Sequence, residues 1–351
     1  MRLSFILFTI TCFIYPTNLL GQTDAIGSNL VDASLISFLK TNYYPSSPKN
    51  YNTARDSMFI SIDVDASDSV RGVYTGLKVK ADGSRTPANG SLSLNTEHSW
   101  PQSFYDGGEP MKSDIHHLYP VWSSVNSSRG NHPFAEIADN LTSSWWYWEN
   151  GGSVSSIPSQ NIDSYSEYYN NSFEPREDHK GNVARAMFYF WTMYSDNSDI
   201  VNDDFDNSAF FEGMKSTLYS WHKSDPVNSA EVARSNAIYA VQGNKNPFIH
   251  DTTLVRRAFF STPAWINEFH YDNAGSDTGE FVEIVIENPS SYTLNNFKLE
   301  LYNGSNSQVY DSQTGNNFTV GSSIGNYTIY HWAPSSIQNG GPDGIALSYN
   351  G

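Results

Sequence analysis

Apolar residues recur along this chain with two periods, and the change from one to the other divides it. Over the first two thirds the spacing is helical. Residues 28–39 (SNLVDASLISFL) and 51–62 (YNTARDSMFISI, with Met58, Phe59 and Ile62 on one side) predict two helices. Residues 173–194 predict a long one. Pro175 stands early, Glu177 and Asp178 fill the first turn, and Val183, Met187, Phe190 and Tyr194 form one stripe. Phe211, Met214, Leu218 and Trp221 repeat that spacing, and Asp225-Pro226 opens a further helix ending near Gly243.

Strand signals lie between the helices. Residues 69–81 (SVRGVYTGLKVKA) alternate β-branched and polar positions, Asp82-Gly83 marks a turn, and 91–95 (SLSLN) run straight into Glu97-His98. A helix is expected over 119–129, giving the order β, β, α. Residues 140–172, rich in Ser, Asn, Gly and aromatics, read as a hairpin and loop. Past Phe260 the period falls to two. Val282, Ile284 and Ile286 face one way, Phe297, Leu299 and Leu301 do the same on a neighbour, and Asn, Gly and Ser turns separate the runs. That is the pattern of an all-β sandwich. The boundary is expected within 258–263, so the fold class is α+β over 23–260 followed by a sandwich-like domain over 261–351.

Length agrees, since 351 residues suit about two domains. The first 22 residues hold a lone Arg2, an apolar run from Leu3 to about Tyr15 and small residues near Gly21. They read as a secretory signal peptide, too short for a membrane span. The expected location is therefore extracellular or periplasmic, with no later segment apolar enough to span a bilayer. Cys12, the only cysteine, falls inside the leader and fits a lipid-anchor signal poorly. A thiol-free mature chain has no disulfide, no cysteine nucleophile and no thiolate-bound metal. Twenty Lys and Arg face 37 Asp and Glu, a net charge of −17. Such a balance argues against a tight nucleic-acid binder held by a basic face. It permits an enzyme that grips one phosphate with a metal and a few cations, and it also simply keeps a secreted protein soluble.

Candidate chemistry is concentrated in 95–131, which holds Glu97, His98, Asp114, His116, His117, Asn126, Arg129 and Asn131. Hydrolysing a phosphodiester requires a base for water, a cation for the charge on phosphate and leaving oxygen, and a grip on the phosphate. His98 can be the neutral base. The Glu97 carboxylate and the Asn126 amide oxygen can hold Mg²⁺ with few protein ligands and several waters, and Mn²⁺ and Ca²⁺ share that preference for oxygen. Arg129, one helical turn past Asn126, is placed to pair with a nonbridging oxygen. An isolated Glu-His pair is usually a surface accident, and of adjacent His116 and His117 at most one should reach the site while the other packs. Asp114 serves equally as an orienter of an imidazole or as a helix cap. A zinc protease is excluded by the lack of an HExxH spacing, and a serine hydrolase by the lack of a GxSxG elbow.

Five ordered blocks, NTEHSWPQS, DIHHLYPVWSSVNSSRGN, FEPREDHKGNVARAMFYF, WHKSDPV and AVQGNKNPFI, resemble the bacterial endonuclease I family of secreted or periplasmic nucleases. The resemblance covers about residues 51–251. It implies a ββα-metal (His-Me finger) core, with Glu97 and Asn126 as metal ligands and His98 as general base. It implies, too, a substrate of DNA, RNA or both, cut largely without sequence preference by a monomer that leaves 5′-phosphate ends. Asn131 falls in the helix block. Arg185, in KGNVARA, either approaches the phosphate backbone or makes a helix-surface salt bridge. Only fifteen residues separate His98 from Asp114, where some members carry a long cysteine-bridged insertion, so Lys112 is a candidate replacement for an arginine supplied there. The C-terminal WINEFHYDNAGSDTGEFVEI resembles lamin-tail-like modules. Its Asp272, Asp277 and Glu280 are either Ca²⁺ ligands or exposed acidic turns. A competing class is a surface-binding, adhesive protein whose nuclease body is inert; its mark would be a missing Glu, His or Asn, and none is missing.

Overall fold

The computed structural model describes residues 25–28, 30–260, 264–275, 277–338 and 340–349, so the expected leader lies outside the described residues. The axis of the first unit is the helix Glu177–Tyr194. Its apolar stripe is fully buried at Val183, Met187, Phe190 and Tyr194, and most of its other faces are covered too. A helix buried on nearly all sides needs neighbours on nearly all sides. Asn207–Ser224 lies along it, burying Phe211, Met214, Leu218 and Trp221, and Asp32–Tyr43 packs nearby. Trp100 ties this axis to the site strand. Its ring stacks on Phe190 at 4.8 Å and 12° and on Trp191 at 5.4 Å and 14°, and its indole N–H donates to Asn207 Oδ1 at 3.0 Å. The helix expected after Asp225-Pro226 starts at Ser229, capped by the Asn228 side chain, and Gly243 ends it at φ +82°.

The strand Leu92–His98 runs antiparallel to Leu118–Trp122, pairing Glu97 with Tyr119 and His98 with Leu118. Helix Ser123–Arg129 follows directly and packs back on both strands. A strand, strand, helix order is thus present, but its second strand differs from the expected one. Residues 119–122, anticipated as the start of a helix, belong instead to the strand Leu118–Trp122, which is extended and buried throughout. Pro120 explains this, because a helix interior has no place for its ring or its missing N–H. Its carbonyl instead accepts the Val73 N–H at 2.9 Å. Residues 69–81 are not one strand but two short ones, Ser69–Arg71 and Lys78–Lys80, paired with each other. Gly76 at φ +73° makes the reversal between them. Residues 140–172, expected as hairpin and loop, belong to a four-stranded antiparallel sheet that runs from Ser144 to Glu174.

The C-terminal part has its own core. One antiparallel sheet is ordered Ala264–His270, Phe281–Glu287, Tyr327–Trp332, Thr319–Ile324, and the other Gln308–Thr314, Phe297–Asn303, Gly344–Tyr349. Val282, Ile284 and Ile286 of the first sheet and Phe297, Leu299 and Leu301 of the second are all buried in one cluster, as their period-2 spacing predicts. Among the described residues no helix is long and apolar enough to cross a membrane.

Candidate active site

Neighbouring strand residues send side chains to opposite faces, so Glu97 and His98 leave the strand on different sides and gather different partners. On the Glu97 side the carboxylate is 2% exposed. Its Oε1 accepts the Tyr74 hydroxyl at 2.8 Å and sits 3.0 Å from Arg129 Nε. Burial pushes its pKa up, opposed by the Arg129 charge and the Tyr74 hydrogen bond. Arg129 has no exposed surface. It spends its remaining donors on the carbonyls of Gly130 at 2.7 Å and Ser99 at 2.6 Å, with its guanidinium 4.6 Å from the Phe134 ring centre. Expected to meet a phosphate, Arg129 in this structure is turned to Glu97 instead of to an open surface. Asn126, one turn earlier, donates through Nδ2 to Asn95 Oδ1 at 2.8 Å and to the Thr96 carbonyl at 3.3 Å. A carbonyl only accepts, so the nitrogen faces inward and Oδ1 faces away.

On the other side, His98 Nε2 lies 3.1 Å from the Lys112 carbonyl. The same reasoning makes Nε2 the protonated nitrogen and leaves the Nδ1 lone pair without a partner among the described residues. The ring is half-buried. Burial first, then the nearby His117, press its pKa down to about 3, against the Lys112 hydrogen bond. Tyr51 lies 5.5 Å from it and His117 5.6 Å, edge-on. Arg55 reaches the same side, its Nε 3.1 Å from Thr96 Oγ1. Tyr51, Arg55 and Tyr74 carry no mark in the sequence that would tie them to a pair more than twenty residues away; the fold alone brings them there.

The remaining candidates divide. His117 is buried, donates Nε2 to the Met111 carbonyl at 2.6 Å and backs the His98 ring. His116 turns the other way, to the Asn244 carbonyl at 3.1 Å and the Tyr189 ring. Both belong to a short 3₁₀ turn rather than a strand. Asp114 caps that turn through His116 N–H and collects the hydroxyls of Tyr189 at 2.7 Å and Tyr194 at 2.6 Å and the Gln242 amide at 2.7 Å. It orients no imidazole. Arg185 is fully buried in a two-pronged pair with Glu231, at 2.6 and 2.7 Å, and does not reach the site surface. Asn131 is exposed just past the helix, and Lys112 is partly exposed beside Tyr51.

Among the described residues no three His, Cys, Asp or Glu side chains converge as a ready-made cage. The donor set nevertheless suits a hard cation that keeps most of its waters. Glu97 Oε2 and Asn126 Oδ1 accept no hydrogen bond among the described residues, and neither is sealed from solvent. Next to them Tyr74 and Arg129 hold the carboxylate in place.

This combination of fold and site has a family. Residues 28–253, well over half the chain, match the family described as Endonuclease I, and the chain belongs to it. Among curated proteins it is similar to the extracellular ribonuclease of Bacillus subtilis (strain 168), 37% identical over 163 residues, which is 44% of this chain and 50% of that protein. The Bacillus amyloliquefaciens extracellular ribonuclease matches to the same extent. Endonuclease-1 of Buchnera aphidicola subsp. Baizongia pistaciae (strain Bp) is 25% identical over 142 residues, 40% of this chain and 48% of that protein. The chain spans about half the length of these relatives.

Proposed function

We propose that this chain is a secreted, metal-dependent endonuclease that hydrolyses phosphodiester bonds of DNA, RNA or both with little sequence preference. It acts as a monomer, and its core is a ββα-metal finger formed by 92–98, 118–122 and 123–129. The single observation that carries the reading is the state of His98. Its Nε2 is locked on a backbone carbonyl and its Nδ1 is unprotonated and unpartnered, one residue from a carboxylate with a free oxygen.

In this reading Nδ1 takes a proton from water as that water attacks phosphorus, and the bond from phosphorus to the 3′ oxygen breaks, leaving a 5′-phosphate. A divalent ion, Mg²⁺ or alternatively Mn²⁺ or Ca²⁺, held by Glu97 and Asn126, supplies charge stabilisation for the phosphate and the leaving oxygen. Tyr74 and Arg129 position Glu97. Asn131, exposed just past the helix, contributes to substrate binding in this reading. The names of the relatives, which include ribonucleases and endonucleases, support the class of reaction. The part over 261–351 we assign to a lamin-tail-like module appended to a nuclease unit over 23–260.

The test is incubation of the purified chain with plasmid and with RNA, with and without EDTA, beside His98→Ala. Loss of about 10²- to 10⁴-fold in rate is expected from removing a general base. A variant within a few fold of the parent would remove His98 from the mechanism.

A further inference from the structure

Arg129 and Arg185, the two arginines expected at the substrate, are sealed in ion pairs, so a further grip on an anionic substrate is to be sought elsewhere. On the His98 side of the strand two cations approach one ring. The Arg55 guanidinium carbon is 5.3 Å and Lys112 Nζ 5.2 Å from the centre of Tyr51. Neither makes an ion pair among the described residues. Most arginines differ from Arg55 in this: Arg71, Arg85, Arg176 and Arg234 all have carboxylate partners in a chain of net charge −17. The nearest carboxylate to act on Arg55, Asp56, is itself engaged by Arg85, so the two like charges at the ring still repel, and an anion that reaches both relieves that repulsion.

Both cations are tied to the machinery around the base. Arg55 is held by Nε on Thr96 Oγ1 at 3.1 Å and by Nη2 on the Arg85 carbonyl at 3.1 Å, which leaves Nη1 free to donate. The Lys112 carbonyl fixes His98 at 3.1 Å while its ammonium group makes no hydrogen bond. Tyr51 touches both cations and lies 5.5 Å from the imidazole.

We propose that Arg55 and Lys112, spaced by the ring of Tyr51, clamp a backbone phosphate of the nucleic-acid substrate beside His98. Tyr51 is the positioning residue of this clamp. The inference rests on the reading of His98 as base and adds the residues that set substrate affinity. Because both groups recognise charge and neither is arranged to read a base edge, the clamp binds DNA and RNA phosphates alike.

The experiment has two arms. In the first, Lys112→Gln, Arg55→Gln and the double variant are assayed for KM and kcat on RNA across a salt series. Each lost cation is expected to raise KM several-fold with kcat nearly kept. Each should also flatten the slope of log(kcat/KM) against log[salt] by about 0.7–0.9. In the second, a short fluorescent oligonucleotide is titrated into His98→Ala protein in EDTA, with and without Lys112→Gln, so that affinity is read without catalysis. Tyr51→Ala should mimic the double variant, and Tyr51→Phe should not. Thermal melting accompanies Arg55→Gln, which loses two hydrogen bonds; Lys112→Gln loses none. If His98→Ala abolishes cleavage while the cation variants keep KM, affinity and salt slope, the clamp is wrong and the base stands. If His98→Ala still cleaves, the base fails, and the binding arm alone decides the clamp.

Discussion

Glu97 and Arg129 form a buried ion pair at the proposed site, with the carboxylate 3.0 Å from Arg129 Nε. Removing one partner of a buried ion pair leaves the other charged and unsolvated, at a cost of about 3–5 kcal/mol. Arg129→Ala should therefore lower unfolding free energy by that order in a denaturant titration, with activity falling alongside. Asn126→Ala, on a half-exposed helix face, should lose Mg²⁺ or Mn²⁺ affinity by calorimetry while costing about 1 kcal/mol or less; unchanged metal binding would move the ion elsewhere. His98 carries a pH prediction. Its pKa is pushed down to about 3 by burial, so the neutral, proton-accepting ring persists as pH falls and charges only on approach to that value. The acid limb of kcat/KM should show no inflection near the ordinary histidine value of about 6.5; an inflection there that follows the imidazole by NMR would contradict it. The Glu97-His98 pair stands out in the sequence because the proposed chemistry needs those two types side by side. The pairing of Arg129 with Glu97 was not legible, because spacing along a helix reveals which residues share a face, not which of them the neighbouring strand will cover.

Among elements, the helices were the most legible. Stripes such as Val183–Met187–Phe190–Tyr194 repeat over several turns, and each repeat confirms the others. Five residues such as 118–122 give no such repetition, and buried strands look apolar on both faces, so only Pro120 argued against helix. The strand pair Ser166–Tyr169 and Ser172–Glu174 is likewise short, and it sets Glu167 directly opposite Glu174. Burial, ahead of this like-charged neighbour, raises the Glu167 pKa to about 7; burial raises Glu174 to about 7 as well, although Lys180 lies 2.7 Å away. A carboxyl group whose folded pKa exceeds its unfolded value of 4.5 favours folding while protonated. That stability is present below about pH 4.5 and is lost as pH rises through about 7. Glu167→Gln should accordingly be more stable than the parent at pH 8, on the order of 2 kcal/mol, and gain little at pH 5. Equal gains at both values in urea titrations would rule the titration out.

At the scale of the whole molecule, two cores and one charge asymmetry matter. The described β-rich residues carry nine carboxylates against a single cation, Lys298, so their field repels nucleic acid rather than recruiting it. Their core shares no residue with that of the first unit. The chain ending at residue 260 should therefore fold by itself and keep its kcat, with kcat/KM on RNA raised a few-fold at low salt and converging on the parent's at high salt. A truncated protein that unfolds, or that loses rate at every salt concentration, would show the two units to be interdependent. The proposed division rests on the change of period along the sequence, and the two separate clusters of buried residues support it. What the β-rich part recognises was not visible there, because an exposed surface leaves no rhythm along the chain.

Trp100 stands two positions beyond His98, with its indole nearly parallel to both Phe190 and Trp191. Close parallel indoles couple their electronic transitions, and that coupling gives strong near-ultraviolet dichroism. Any loosening of the strand that bears the base must pull this ring off its stack while the long helix stays wound. Spectroscopists thus have an intrinsic optical gauge on the strand that bears Glu97 and His98, readable without a label.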